Sequence, residues 1–162
     1  LLVEPEGKNI CCRRLGGTTD ISAGQLVDRT GQLLGLAFPA GKALAAFSAD
    51  AQGAGTFPVQ CETSQFSFSG LQNKVSQFYE KTGNSVETAA YALRCVSGAV
   101  FRATEQAMKD YPGLSVVFSG GVASNAMLRK KLEPLHPVFA QPQFSTDNAM
   151  GVAVLAQRMG GC

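Results

Sequence analysis

The chemistry-bearing residues of this sequence gather at two junctions where a strand is expected to run into a helix. The stretch Val116-Val117-Phe118-Ser119-Gly120-Gly121-Val122-Ala123-Ser124-Asn125 reads as a buried strand, a glycine turn and a helix start. That arrangement leaves free backbone N–H groups where a nucleotide can meet them. Gly120 and Gly121 carry no Cβ, so they admit positive φ and the close approach of a ligand. The second junction is Ser145-Thr146-Asp147-Asn148-Ala149-Met150. Two such junctions in one α/β unit point to a ligand cleft along a sheet edge.

Individual side chains leave alternatives open. Asp147 falls in the first turn of a helix, where orphan N–H groups and the dipole favour a carboxylate. It either caps that helix or, since Ser145 and Thr146 already offer capping oxygens, faces a metal or phosphate. Asp28 lies at the edge of an apolar helical stripe and is either a surface carboxylate or a ligand contact. Asn125 opens the helix after the glycine turn and can read a ribose or base edge or act as a cap. His136 is the only histidine and stands before Pro137 in an expected turn, so it reads as structural. One isolated histidine makes no Ser/His/Asp or Cys/His set, which disfavours hydrolysis by a protein nucleophile.

The elements that must position these groups follow from periodicity. Residues 1–4 and 10–14, around the turn Glu6-Gly7-Lys8-Asn9, pattern as a hairpin. From Asp20, an expected N-cap, the apolar period becomes helical through Ala23, Leu26, Val27, Thr30, Leu33 and Leu34, and ends near Gly35. A second helical run is expected over 42–50, an irregular excursion near 52–64, and a short strand over 66–71, where apolar and hydroxyl residues alternate. The longest helix should cover 85–111, with Asn84 and Glu87 as a capping-box-like start, Pro112-Gly113 as its stop and Ala89, Leu93, Val96, Val100, Ala103 and Ala107 as its buried stripe. A core strand over 114–119, a helix over 123–132, a strand over 137–140 and a helix over 147–159 complete an α/β domain with a mixed sheet flanked by helices.

Bulk properties fit that order. With 162 residues, 45% of them apolar and 16% charged, the chain suits one folded domain able to bury its own core. No apolar run approaches the roughly 18 residues of a membrane helix, so no membrane association is expected. Leu1-Leu2-Val3 shows no features of a secretory leader and reads as the start of a cut segment. Five cysteines without a CxxC spacing argue against a disulfide framework or a zinc site, and the cytoplasm is the expected location. A net charge of +2 gives no nucleic-acid footprint by itself, and Arg129-Lys130-Lys131 reads as a solvated patch.

Several motifs, in order and over nearly the whole chain, resemble one family. They are Asp20-Ile21-Ser22-Ala23-Gly24-Gln25-Leu26-Val27-Asp28-Arg29, Leu33-Leu34-Gly35-Leu36, Pro39-Ala40-Gly41, Phe66-Ser67-Phe68-Ser69-Gly70-Leu71, Ser119-Gly120-Gly121-Val122-Ala123-Ser124-Asn125 and Ser145-Thr146-Asp147-Asn148. Together they resemble the tRNA threonylcarbamoyladenosine transferases, formerly called glycoproteases or O-sialoglycoprotein endopeptidases. The resemblance implies the C-terminal lobe of a two-lobed, actin-like ATPase fold of the ribonuclease H-like kind. It implies that Asp28, Gly41 and Asn125 contact the adenylate, with Gly120 and Gly121 against the nucleotide, and that Asp147 ligates one divalent metal, iron or zinc. ATP or a carbamoyl-adenylate is the implied ligand. The implied partners are tRNA and a paralogous protein or a second copy. The implied reaction moves a threonylcarbamoyl group onto a tRNA adenosine; the older label implies a metalloendopeptidase instead, and a catalytically silent paralogue is a third reading. Gln25, Ala40, Gln65 and Gln72 stand where bacterial members usually have Glu, Gly, Asp and Lys, which marks a divergent branch. The family's His-x-x-x-His pair belongs to the other lobe.

Overall fold

The computed structural model describes residues 1–53, 55–56, 61–62, 65–145 and 149–160. The chain opens with the expected hairpin, in which β1 (Leu2–Glu6) pairs antiparallel with β2 (Asn9–Arg13) in the register Leu2 to Arg13. Gly7, at φ +60, supplies the left-handed residue of its turn. Cys11 and Cys12 on β2 are both exposed, whereas Cys95 is buried in the core.

Three helices then build around a fourth. After the short strand β3 (Gly17–Thr18) comes α1 (Ala23–Leu33). Its cap is Ser22, not Asp20: Ser22 Oγ accepts from Gln25 N at 3.1 Å while Gln25 Oε1 accepts from Ser22 N at 2.8 Å. That capping box satisfies two orphan groups reciprocally and frees Asp20 for another task. Helix α2 spans Gly41–Phe47, shorter than the expected 42–50. Of the excursion near 52–64, β4 (Cys61–Glu62) is described, and it pairs antiparallel with β5 (Gln65–Phe66), which in turn runs parallel to β3.

The expected strand over 66–71 is a correction. Pairing ends at Phe66, and α3 (Ser69–Thr82) begins three residues later. The cause is Asp20, whose Oδ1 accepts from Phe68 N at 2.8 Å and whose Oδ2 accepts from Ser69 N at 3.2 Å. A carboxylate there satisfies the first amides of the helix and meets the positive end of its dipole. Gly83, at φ +59, closes α3 in the left-handed conformation.

Helix α4 (Ser85–Asp110) is the scaffold and matches the sequence expectation closely. Asn84 Oδ1 accepts from Glu87 N at 3.1 Å, but Glu87 does not return the favour. Its Oε1 instead accepts from Gln52 N at 2.8 Å and Gly53 N at 3.2 Å, tying the loop after α2 to the start of α4. Ala89, Ala90 and Ala92 in the first half of α4 are fully buried, where α1 and α3 pack against it. Leu26, Phe68, Leu71, Val75, Cys95 and Val96 form the main core there, and Phe78 stacks on Tyr91 with centroids 4.8 Å apart. A second cluster of Val27, Leu44, Ala89 and Leu93 joins α1, α2 and α4, with Met127 packed against it.

The remaining strands are shorter and more exposed than expected. Only Val117–Phe118 forms β6, which pairs parallel with β7 (Val138–Phe139). Leu114 is 53% and Val117 63% exposed, so 114–119 is not the buried core strand anticipated. The helix expected over 123–132 divides into a 3-10 turn over Val122–Ser124 and α5 (Ala126–Leu132), because Asn125 resets the chain as a cap. Helix α6 (Ala149–Gly160) is the last described element. Among the described residues the strands form three small sheets, β1-β2, the mixed β3-β5-β4, and β6-β7. The protein is α/β, with six α-helices among the described residues. Among those residues no helix is long and apolar enough to cross a membrane.

Candidate functional site

Helix α1 organises the site. Gly24, Val27, Asp28 and Gly31 fall at helical spacing on one stripe. A Cβ built on Gly24 would lie 3.9 Å from Val122 Cγ2, in the turn that follows Gly120 and Gly121. One turn further on, a Cβ built on Gly41 would lie 3.9 Å from Val27 Cγ1. Asp28 Oδ1 accepts from Ala40 N at 2.9 Å, and its Oδ2 has no hydrogen-bond partner among the described residues. At Gly31 the chains touch so closely that an added Cβ would overlap Ala40 Cβ. One helix face therefore seats both glycine turns.

The approach of the second turn is fixed by the end of α1. Gly35, at φ +75, lets Leu36 N donate to Gly31 O at 2.8 Å and its own N–H donate to Gln32 O at 3.1 Å. This Schellman closure satisfies the last carbonyls of the helix and sends the chain back toward Ala40. Beside Asp28 lies a shallow recess of about 510 Å³, lined by Gln25, Asp28, Arg29, Gln32, Leu36 and Phe38. Phe38 is 83% exposed at its rim.

On the other turn, Gly120 takes φ +106, a conformation that L side chains rarely adopt. Nothing lies within 4 Å of a Cβ built on Gly120 or Gly121, so space above the turn is open. Asn125 Oδ1 accepts from Leu128 N at 3.1 Å, which makes it the cap of α5. Its Nδ2 group has no partner among the described residues, so capping leaves that donor available. Asp28, Gly41, Gly120, Gly121 and Asn125 are thus carried on α1 and the two turns packed against it. Asp147 lies outside the described residues, as do its neighbours Thr146 and Asn148.

Two positioning residues escaped the sequence reading. Arg129, assigned to a solvated patch, donates Nε to Ala123 O at 2.8 Å and lies 4.6 Å over the Phe139 ring. It ties the 3-10 turn to β7. Asp20 is the hub between α1 and α3. Besides the two amides of α3, it accepts from Ile21 N at 2.7 Å, Ser67 Oγ at 2.5 Å and Ser69 Oγ at 2.6 Å. Burial acts to raise its pKa, but the hydroxyls of Ser67 and Ser69 and the amides of Phe68 and Ser69 outweigh it and hold the carboxyl well below the ordinary range. The alternation Ser67-Phe68-Ser69 was the available signal for those donors.

Among the described residues, no three His, Cys, Asp or Glu side chains converge to hold a metal. The described residues therefore assemble no metal set by themselves.

The family profile and the sequence relatives agree on one family. The profile described as tRNA N6-adenosine threonylcarbamoyltransferase matches residues 8–154. A tRNA N6-adenosine threonylcarbamoyltransferase of Carboxydothermus hydrogenoformans is 33% identical over 150 residues, which cover 86% of this chain and 45% of that protein. The protein of the same name from Chlorobium phaeobacteroides is 32% identical over 166 residues, covering 88% of this chain and 48% of the relative. That from Thermus thermophilus is 34% identical over 154 residues, covering 90% and 47%. The chain spans about half the length of the curated relatives it matches. Among solved structures, T. kodakarensis HypF superposes with a TM-score of 0.62 at 22% identity over 86% of this chain and 20% of that one, a likeness of fold.

Proposed function

The chain belongs to the tRNA N6-adenosine threonylcarbamoyltransferase family, and from that premise we propose that it is the adenylate-binding lobe of a threonylcarbamoyltransferase-like protein acting on a tRNA adenosine. In this reading the lobe has the actin-like ATPase fold and is the C-terminal of two. The observation that carries it is the α1 stripe: Gly24 meets the turn after Gly120 and Gly121, while Val27, Asp28 and Gly31 meet the turn at Ala40 and Gly41. An open turn at Gly120-Gly121 and a close-packed turn at Ala40-Gly41, both seated on one helix face, form a surface on which a ribose and a phosphate can be held by backbone donors and a carboxylate.

Each residue has a distinct task in binding. Asp28 pins Ala40 through Oδ1 and offers Oδ2 to a ribose hydroxyl. Asn125 caps α5 through Oδ1 and offers Nδ2 to the ligand. Gly41, Gly120 and Gly121 give backbone approach. Asp147 supplies one ligand to a divalent metal, iron or zinc, whose other ligands come from outside the described residues. When bound, that metal would polarise a carbonyl and orient a phosphate.

Calorimetric titration of the full-length polypeptide with ATP, with and without a divalent metal, tests the reading. Saturable binding is expected, and Asp28→Asn and Asn125→Ala should each weaken it about tenfold, or about 1.4 kcal/mol. No binding under either condition rejects the proposal.

A second reading, a catalytically silent paralogue that binds a partner, draws on Gln25 and Gln72. Both are uncharged where charge is usual in the resembling family, and both are engaged structurally: Gln25 closes the capping box at Ser22, and Gln72 Oε1 accepts from Arg29 Nη1 at 2.8 Å. Adenylate binding without threonylcarbamoyl transfer to tRNA would select this second reading.

A further inference from the structure

We propose that the recess beside Asp28 is an adenine subsite, in which the Phe38 ring stacks on the base and the Gln32 carboxamide reads its edge. The same ring is carried by an adenylate and by a tRNA adenosine, and both fit this chemistry. The inference rests on reading the chain as a nucleotide-binding lobe.

Phe38 is the most exposed of the large apolar side chains among the described residues. A single exposed apolar side chain is common on protein surfaces, and Phe38 is set apart by where it stands. It lines the recess that also holds the carboxylate of Asp28. The turn that carries it is clamped on both sides: Leu36 N donates to Gly31 O at 2.8 Å, and Ala40 N donates to Asp28 Oδ1 at 2.9 Å. The backbone of Phe38 is thus placed against α1 while its ring stays out of the core.

The α1 side of the recess supplies the polar complement. Asp28 and Gln32 are four residues apart on the helix and share a face. Gln25 Oε1 is committed to Ser22 N, and Arg29 Nη1 is drawn to Gln72 Oε1 on α3. The Gln32 carboxamide has no hydrogen-bond partner among the described residues. An amide sets an acceptor beside two donors, which pairs with the N6 donor and N7 acceptor of adenine. Guanine presents two acceptors on that edge and would face the Gln32 carbonyl with another acceptor. A nucleoside whose ribose hydroxyl meets Asp28 Oδ2 can turn its base along the helix toward Gln32, with the Phe38 ring against its face. An apolar protein segment seated on Phe38 would instead strip water from Asp28 and Gln32 and leave them unpaired.

These 162 residues contain no tryptophan, so Phe38→Trp places a reporter in the recess, read as the difference in emission between the full-length variant and its full-length parent. ATP, GTP, inorganic tripolyphosphate and a tRNA are the probes. The expected result is quenching by ATP or by the tRNA and none by GTP or tripolyphosphate. In calorimetry, Phe38→Leu and Gln32→Leu should each weaken binding of the quenching ligand about tenfold, with urea midpoints unchanged. Quenching by ATP assigns the recess to the adenylate, and quenching by tRNA without ATP assigns it to the acceptor base. No quenching by either, or equal quenching by GTP, overturns the proposal. ATP binding in calorimetry without any change in emission overturns the adenine subsite alone, whereas absence of ATP binding rejects the adenylate reading.

Discussion

The stretch from α1 to α2 and the stretch from β1 to β6 treat their backbones in opposite ways. Around α1 the ends are closed: Ser22 and Gln25 cap the start, Leu36 and Gly35 return to the last carbonyls, Asp28 holds Ala40, and Gly31 leaves no room beside Ala40 Cβ. Along β1 and β6, edges face an apolar slot and Val117 is 63% exposed. Asp28 and Gly41 of the candidate ligand surface belong to the closed region, whereas Gly120, Gly121 and Asn125 follow β6. The geometry around Asp28 and Gly41 is consequently set by local contacts, whereas one edge of β6 faces the slot.

The most direct way to break that contrast is to add one methyl group on each side of it. Gly31→Ala should destabilise the chain by about 2 kcal/mol in urea unfolding, since overpacking against Ala40 typically costs up to about 3 kcal/mol and alanine's better helix propensity returns about 1. Gly121→Ala meets open space at φ −59 and should stay within about 0.5 kcal/mol of the parent. Equal effects at the two positions would show that the α1 face is no more tightly packed than the open turn.

Next in size is the link between α1 and α3. Asp20→Asn removes the charge that faces the amides of Phe68 and Ser69 and the hydroxyls of Ser67 and Ser69, and should cost about 1.5 kcal/mol at neutral pH. The sign of the pH dependence follows from the lowered folded pKa. Asp20 contributes its stability above the ordinary carboxylate value near pH 4 and loses it progressively as pH falls toward the depressed folded value. Unfolding of the parent below pH 4 should therefore be steeper in pH than that of Asp20→Asn. Parallel acid limbs would remove Asp20 from this role.

These two positions also show what could be read from the sequence. Helix α4 was legible because its stop and start are local: Asn84 caps it and Pro112-Gly113 follows it. The apolar stripe of α1 was legible because its period and its stop at Gly35 are local, with Asp28 at its edge, whereas Gly41, on α2, was singled out by the resemblance alone. Helix α3 was not legible, because its cap is Asp20, 48 residues before Phe68, and a helix whose first amides are satisfied from so far away carries no start signal of its own. The strand over 114–119 was overextended because a run of apolar residues marks what a strand is suited to bury, not whether its neighbour is present. Asp147, expected as a metal ligand, lies outside the described residues.

A smaller effect sharpens the contrast within the site itself. Asp28→Ala leaves Ala40 N without its acceptor and should destabilise the chain by about 1 kcal/mol in the same unfolding measurement. Its effect on adenylate affinity should exceed its effect on stability, because the group has an unpartnered Oδ2 to lose as well. A stability loss with unchanged affinity would confine Asp28 to holding the turn.

The smallest effect belongs to the exposed face of β6. Val117→Thr keeps the β-branch that suits a strand and places a hydroxyl where the side chain is already 63% exposed. It should change stability by no more than about 0.5 kcal/mol in the same unfolding measurement. A loss of about 1 kcal/mol or more would mean that the side chain is packed rather than wet, and the contrast between β6 and the closed face of α1 would go with it.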